Sequence, residues 1–325
     1  MDLTLHLGAH RTAARTLDRL IGANLPALRE AGLAYWGRAE LHAGFYDGLL
    51  GRPDRVTPEL AGRAARSLGA LEALCEVLEE EGTRRLIVSA PRLIGSVTGM
   101  VAEGALYPLV SERLERLAPV LHPRCDRVVL TIRAYQTHWS SLVAEAVRRG
   151  AAPPGPDTRA RMASCPVTWR RLIEEIALAL PEAGVVVMPY EAVAGRWDLI
   201  LRLLGAPPHL PRTLPPGRDR LARGLGAGKL RMMRTERGGA TPVGPEAAPA
   251  AAEGRWTPFT PAQEAAMTQA YAEDLAWLRS GASGLASWIE SADATPLRPP
   301  DRTRGRPPDD RRERAQVPCR LGKAG

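Results

Sequence analysis

A short apolar strand, a tight turn and a helix start constrain this chain more than any other feature of its sequence. Residues 3–16 read LTLHLGAHRTAART. Three leucines alternate with polar residues as in a buried strand, Gly8 breaks the run, and a helical pattern begins at about Thr12. Unpaired N–H groups and the helix dipole favour an anion at a helix start. With Arg11 beside Thr12, the stretch predicts a phosphate-binding turn without a Walker A glycine loop. The alternative is an ordinary strand–turn–helix.

Further apolar segments alternate with helical patterns along the chain. Strands are predicted at 85–89 (RLIVS), 127–132 (RVVLTI) and 184–188 (GVVVM). Amphipathic helices are predicted at about 58–81, 106–121, 166–180 and 261–278, and another follows Arg133 and closes at Gly150, with a loop at 151–157. This alternation predicts an α/β fold with three αβα layers around a central parallel sheet. Ligands of such sheets bind at the carboxyl ends of the strands.

Composition and cysteine usage narrow the class of protein. Hydrophobic residues make up 45% and charged residues 25% of the chain, as in a soluble globular protein. No apolar run approaches the roughly 20 residues that span a bilayer. The N-terminus enters a strand without a basic region or cleavage site, so no secretory signal is predicted. The four widely spaced cysteines indicate reduced thiols in a cytoplasmic protein.

The net charge of +8 is concentrated near the C-terminus. Residues 296–325 carry nine basic and four acidic side chains and therefore hold +5 of this charge. The rest is mildly basic, which argues against a nucleic-acid-binding surface and fits a small anionic ligand. We predict one α/β domain over residues 1–290, with a mobile loop at about 236–256, and a disordered Pro/Arg-rich tail over 291–325. The tail is either a plain disordered extension or a contact for an acidic partner or for membrane headgroups.

A second cation follows another predicted strand. Arg133 comes directly after the strand at 127–132, and Ser141 lies eight positions later in the next helix. An arginine at a strand end and a hydroxyl two turns into the following helix could grip one phosphate from two sides. Surface helices also supply such pairs by chance.

Together these segments resemble a known family. LHLGAHRTAARTL and VVLTIRAYQTHWSSLVAEAVRRG are similar to the two donor-binding motifs of bacterial sulfotransferases, which use 3′-phosphoadenosine 5′-phosphosulfate (PAPS). The likeness extends loosely to PYEAV and to FTPAQEAAMTQAYAEDLAWL, and it stops before the tail. It implies a P-loop-NTPase-like sulfotransferase fold and transfer of a sulfuryl group to a hydroxyl or amine of a carbohydrate or small metabolite. No metal is required.

The resemblance assigns roles to individual residues. Arg133 and Ser141 match the second motif, which holds the 3′-phosphate. The first motif, of the type K-[ST]-G-T-T, binds the 5′-phosphosulfate, and Arg11 stands at its lysine position. Across this turn, Thr12 and Thr16 keep hydroxyls, whereas Ala13, Ala14 and Arg15 replace the glycine and two threonines. If the glycine position needs a left-handed backbone, alanine costs about 1–2 kcal/mol there.

The catalytic base is less evident. Arg11 and the turn amides would steady the leaving phosphate, and His10 is the nearest candidate base, with His42 and Glu40 in a later loop. His138 is expected to be a solvated helix residue and Trp139 to pack against the sheet. The basic segment 212–237 either closes over the 3′-phosphate or is a solvated loop. Two other functions stay open: a nucleotide-binding pseudoenzyme, and an interaction scaffold that uses the tail.

Overall fold

All six strands in the described part of the chain run parallel in a single sheet. The computed structural model describes residues 1–42, 44–207 and 256–290. The strands are β1 (Asp2–Gly8), β2 (Leu33–Trp36), β3 (Arg85–Ser89), β4 (Cys125–Ile132), β5 (Gly184–Pro189) and β6 (Ala286–Trp288). Their order across the sheet is β2-β3-β1-β4-β5-β6. The chain is therefore an α/β protein, and β1 and β4 are direct neighbours.

Helices cover both faces of this sheet. They are α1 (Ala14–Gly22), α2 (Leu25–Glu30), α3 (Arg38–His42), α4 (Pro58–Glu80), α5 (Val97–Glu103), α6 (Val110–Glu115), α7 (Ala118–Leu121), α8 (Tyr135–Arg148), α9 (Pro156–Ala163), α10 (Trp169–Ala179), α11 (Tyr190–Val193), α12 (Trp197–Leu203) and α13 (Pro261–Arg279). Short 3₁₀ turns span Pro53–Arg55, Pro91–Ile94 and Ala282–Gly284.

Two apolar cores flank the sheet because successive strand residues point to opposite faces. In β4, Val128 and Leu130 enter the larger core with side chains from α4 to α8, α10 and α13. Val129 enters the smaller core with side chains from α1, α2, α11 and α12. This arrangement is consistent with the predicted three layers, and it buries each strand on both sides.

The long elements were predicted and the short edge strands were not. The structure confirms strands at 85–89, 127–132 and 184–188 within one or two residues, and helix α4 within one. Thr260 caps α13 with a complete capping box that includes Gln263, as its sequence predicts. The edge strands β2 and β6 have only four and three residues, too few for a period-two pattern to stand out.

Several predicted helix boundaries were wrong for local backbone reasons. Helix α1 begins at Ala14 rather than Thr12, because Arg11 and Ala13 have positive φ angles. The helix predicted at 106–121 is instead α6 and α7, since Tyr107 and Leu109 also have positive φ angles. Helix α9 begins at Pro156, inside the predicted loop, and proline is favoured in a first helical turn.

Three predicted features fall largely or wholly outside the described residues. They are the basic segment 212–237, the loop at about 236–256 (all but its last residue) and the tail 291–325. The predicted domain boundary remains a prediction.

Candidate functional site: an arginine cluster at the ends of β1 and β4

The turn after β1 presents a row of backbone donors. Within the part of the chain that the structure describes, the N–H groups of residues 11–15 have no hydrogen-bond partner. Ala13 adopts the left-handed conformation, with φ 68° and ψ 17°, directly before α1. The donors therefore lie along a tight turn at the positive end of a helix dipole. This geometry suits a phosphate or sulfate group.

The two threonines of the motif, Thr12 and Thr16, lie in different parts of the turn and helix. Thr12 is buried, and its hydroxyl donates to the carbonyl oxygen of Ala9 at 2.7 Å. It therefore stabilises the turn itself. Thr16 is also buried and lies inside α1, and its backbone N–H donates to the carbonyl of Ala13 at 2.8 Å. Ala14 is the first residue of that helix.

The two predicted motifs meet at Arg11. Its Nε donates to the hydroxyl oxygen of Ser141 at 2.9 Å, although 130 residues separate them. Arg133 donates from Nη1 to the carbonyl oxygen of Arg11 at 3.3 Å. The guanidinium of Arg133 also lies over the ring of Tyr190, 4.7 Å from its centroid. These contacts follow from the adjacency of β1 and β4, whose carboxyl ends carry the turn and Arg133.

Glu145 lies at the centre of this arginine cluster, which we define as Arg11, Arg15, Arg133, Arg148 and Arg149. Its side chain is only 4% exposed. The two arginines that follow it on the same helical surface hydrogen-bond to its carboxylate at 2.6–2.9 Å. The guanidiniums of Arg11 and Arg15 lie 3.7 and 3.8 Å from it. Four of the five guanidiniums thus share one carboxylate, and the cluster keeps an excess of positive charge.

The protonation state of Glu145 follows from these neighbours. Burial by itself raises the pKa of its carboxyl, but the hydrogen bonds from Arg148 and Arg149 and the charge of Arg11 lower that pKa to about 2. Glu145 is therefore ionised at neutral pH. The sequence patterns did not point to Glu145 as a site residue. Its spacing of four from Ser141, which places both on one face of a helix, was the available signal.

His10, the predicted base, contacts Tyr107. The Tyr107 hydroxyl oxygen accepts from the backbone N–H of His10 at 2.8 Å and lies 3.2 Å from its Nδ1. Burial above all, together with the nearby charges of Arg149 and Arg92, lowers the pKa of His10 to about 3. The imidazole is therefore neutral at pH 7. Its ring can accept a proton, but the low pKa makes it a weak base.

The predictions for His138 and Trp139, which are neighbours in α8, had opposite outcomes. Trp139 is buried in the larger core, as its packing interpretation predicts. His138 was expected to be solvated, and this was wrong: its side chain is fully buried against Trp169. The reason is that α5 and α13 pack against α8, and Trp169 of α10 lies against His138 itself, which leaves little of α8 exposed. Neither ring nitrogen of His138 has a hydrogen-bond partner among the described residues.

A network of hydrogen bonds in the core fixes the backbone carbonyl of Arg133. The indole N–H of Trp169 donates to the carbonyl oxygen of Arg133 at 2.9 Å. The backbone N–H of Trp169 donates to the carboxylate of Asp274 at 3.0 Å, and the hydroxyl of Tyr135 donates to the same carboxylate. Helices α8, α10 and α13 are thereby joined beneath the arginine cluster.

The other sequence candidates lie elsewhere. Glu40 accepts from the backbone N–H of Gly37 at 2.6 Å and so caps its own helix. The side chain of His42 is not among those described. No three His, Cys, Asp or Glu side chains of the described residues are grouped to hold a metal ion. Cys75, Cys125 and Cys165 are buried free thiols.

Comparisons with known proteins give no family. No family model, curated protein or solved structure matches the chain. Any functional assignment therefore rests on the turn, the arginine cluster and the sequence motifs that form them. The described helices include none that is long and apolar enough to cross a membrane.

Proposed function

We propose that this protein is a PAPS-dependent sulfotransferase with a P-loop-NTPase-like fold. The observation that carries the proposal is the meeting of the two motifs. Arg11, from the turn after β1, hydrogen-bonds to Ser141 and accepts from Arg133 at its carbonyl oxygen. A nucleotide with phosphate groups at both its 5′ and 3′ positions needs cations and N–H donors side by side, and these elements supply both.

The proposed roles follow the chemistry of sulfuryl transfer. The N–H groups of residues 11–15 and Arg11 would bind the 5′-phosphosulfate, and Arg133 with Ser141 would bind the 3′-phosphate. The bond from sulfur to the bridging oxygen breaks while a bond forms from the acceptor's oxygen or nitrogen to sulfur. Arg11 would stabilise the negative charge that develops on the bridging oxygen. Neutral His10 is the nearest group to take the acceptor's proton, and the acceptor is a carbohydrate or small metabolite.

The contact between Arg11 and Ser141 changes one expectation about these roles. The sequence motifs assign Arg11 to the sulfuryl end alone, so that its loss would leave nucleotide binding intact. Because its guanidinium donates to Ser141 at 2.9 Å, Arg11 lies beside the residues assigned to the 3′-phosphate. We therefore expect Arg11→Ala to weaken binding of the spent donor as well as transfer.

A specific observation favours a second candidate, a nucleotide-binding relative without transferase activity. The hydroxyl of Thr12 already donates within the turn, and burial lowers the pKa of His10 to about 3. Such a protein would keep the arginine cluster and lack an effective base. Binding and turnover separate the two candidates.

The test is calorimetric titration with 3′,5′-adenosine bisphosphate, the spent donor. Wild type is expected to bind at micromolar concentration, and Arg133→Ala to lose at least tenfold in affinity. Arg171→Ala is the matched control, because Arg171 pairs only with Glu175 on exposed helix surface among the described residues. No binding by wild type at millimolar ligand would refute both candidates.

A transfer assay then follows. Release of the bisphosphate from PAPS in the presence of a panel of hydroxyl and amine acceptors supports the transferase. Binding without acceptor-dependent release across the panel supports the second candidate.

A further inference from the structure

Glu145 makes two kinds of contact with the arginine cluster. It accepts direct hydrogen bonds at 2.6–2.9 Å from Arg148 and Arg149, which follow it by three and four residues in the chain. Its distances to Arg11, in the turn after β1, and to Arg15, in the first turn of α1, are 3.7 and 3.8 Å. The carboxylate is therefore held by hydrogen bonds from the C-terminal end of α8. It interacts with Arg11 and Arg15 only through charge, without a hydrogen bond.

The orientation of Arg11 does not depend on Glu145. Its Nε is fixed by the hydroxyl of Ser141 at 2.9 Å. Removing the carboxylate would leave that hydrogen bond in place, while it would remove a negative charge less than 4 Å from the Arg11 guanidinium. A carboxylate that oriented Arg11 would instead have to hydrogen-bond to it.

We propose that Glu145 is an internal competitor for the anion that this site binds. Its carboxylate shares Arg11 and Arg15 with the ligand's phosphate or sulfate group, and so it lowers the affinity of the site. A bound anion takes over these two guanidiniums, and Glu145 stays with Arg148 and Arg149. The inference rests on the proposed function in one respect, that the anion belongs to a nucleotide.

The charge of Glu145 affects both the unliganded site and the release of a bound anion. Burial lowers the pKa of Arg11, Glu145 raises it, and the neighbouring arginines lower it again. Glu145 thus keeps mutually repelling guanidiniums together when no ligand is bound. The same charge repels an incoming phosphate, which makes release of a doubly phosphorylated product faster. In many enzymes product release limits turnover.

The experiment measures binding of two probes to Glu145→Gln, with Glu174→Gln as the matched control. Glu174 also pairs with an arginine four residues away on its own helix, at 2.8 Å, but on exposed surface. Both variants lose one negative charge, so the comparison removes the effect of net charge. The probes are inorganic phosphate and 3′,5′-adenosine bisphosphate, titrated by calorimetry at fixed ionic strength.

We expect Glu145→Gln to bind both probes more tightly than Glu174→Gln, by a factor on the order of ten, as one charge a few ångströms from an anion implies. Equal or weaker binding by a folded Glu145→Gln would overturn the proposal. Circular dichroism establishes that the variants are folded. If Glu145→Gln does not fold, Glu145→Asp takes its place, because it keeps the charge beside Arg148 and Arg149 and withdraws it from the turn. Its affinity should lie above that of wild type, and an affinity at or below wild type would count against the proposal.

The two probes separate this inference from the proposed function. Tighter binding of inorganic phosphate by Glu145→Gln, with no binding of the bisphosphate by any variant, supports the competitor and refutes the nucleotide site. Bisphosphate binding that Glu145→Gln leaves unchanged supports the nucleotide site and refutes the competitor. Failure of every variant to bind either probe refutes both.

Discussion

Ala13 adopts a left-handed backbone conformation that strains an alanine, and Ala13→Gly should therefore stabilise the protein. Its φ of 68° and ψ of 17° lie where the Cβ atom of an L-residue crowds the following carbonyl, at a cost of about 1–2 kcal/mol. Glycine avoids this cost, but it gives the unfolded chain more freedom, which is worth about 0.4–1 kcal/mol. From the middle of each range, the difference is a net gain of about 0.8 kcal/mol in the free energy of unfolding.

The matched control is the next residue. Ala14 begins α1, where a right-handed backbone suits alanine, so Ala14→Gly should destabilise the protein by about 0.5–1 kcal/mol. Urea denaturation of wild type and both variants gives the three free energies. Both changes in the free energy of unfolding are measured against the same wild-type chain. A gain for Ala13→Gly and a loss for Ala14→Gly would therefore identify the left-handed turn. If Ala13→Gly is destabilised as much as Ala14→Gly, the assigned conformation of the turn is wrong.

Three further predictions concern the groups around the turn. Tyr107→Phe removes the oxygen that accepts from the backbone N–H of His10, and leaving such a partly buried donor without its partner should cost about 1 kcal/mol in urea denaturation. Trp169→Phe removes the donor to the Arg133 carbonyl, and we expect weaker calorimetric binding of the bisphosphate with little change in the far-ultraviolet circular dichroism spectrum. Because the pKa of Glu145 falls from 4.5 to about 2 on folding, its stabilising effect is complete above pH 4.5 and lost as the pH falls to about 2. Wild type should therefore lose about 3 kcal/mol more than Glu145→Gln over that range, as denaturation at a series of pH values would measure.

The sequence predicted the sheet and the meeting of the two motifs for one physical reason. Parallel strands end at one edge of a sheet, so an arginine after β1 and another after β4 must lie near each other when those strands are neighbours. The left-handed position in the turn was also anticipated, because Ala13 stands where glycine is expected. Both inferences use only local pattern and a general rule about sheets.

The parts that sequence analysis missed depend on which elements pack around a residue. His138 has the local setting of an exposed helix residue, yet it is fully buried against Trp169, which lies 31 residues later in another helix. Glu145 has the sequence environment of an ordinary helix ion pair with the arginines three and four positions later. Only the approach of Arg11 and Arg15, more than 120 residues earlier in the chain, makes it part of a site.

The hydrogen bonds to Asp274 bear on when the site can form during synthesis. Every member of the arginine cluster precedes Asp274 in the chain, so all of them are synthesised before it. The carboxylate that receives the backbone N–H of Trp169 and the hydroxyl of Tyr135 is made more than 100 residues later. A nascent chain that ends before α13 thus contains the complete set of arginines but lacks the partner that fixes Trp169 behind Arg133. The arginine cluster is consequently synthesised before the carboxylate of Asp274, and Trp169 gains that partner only once α13 has been made.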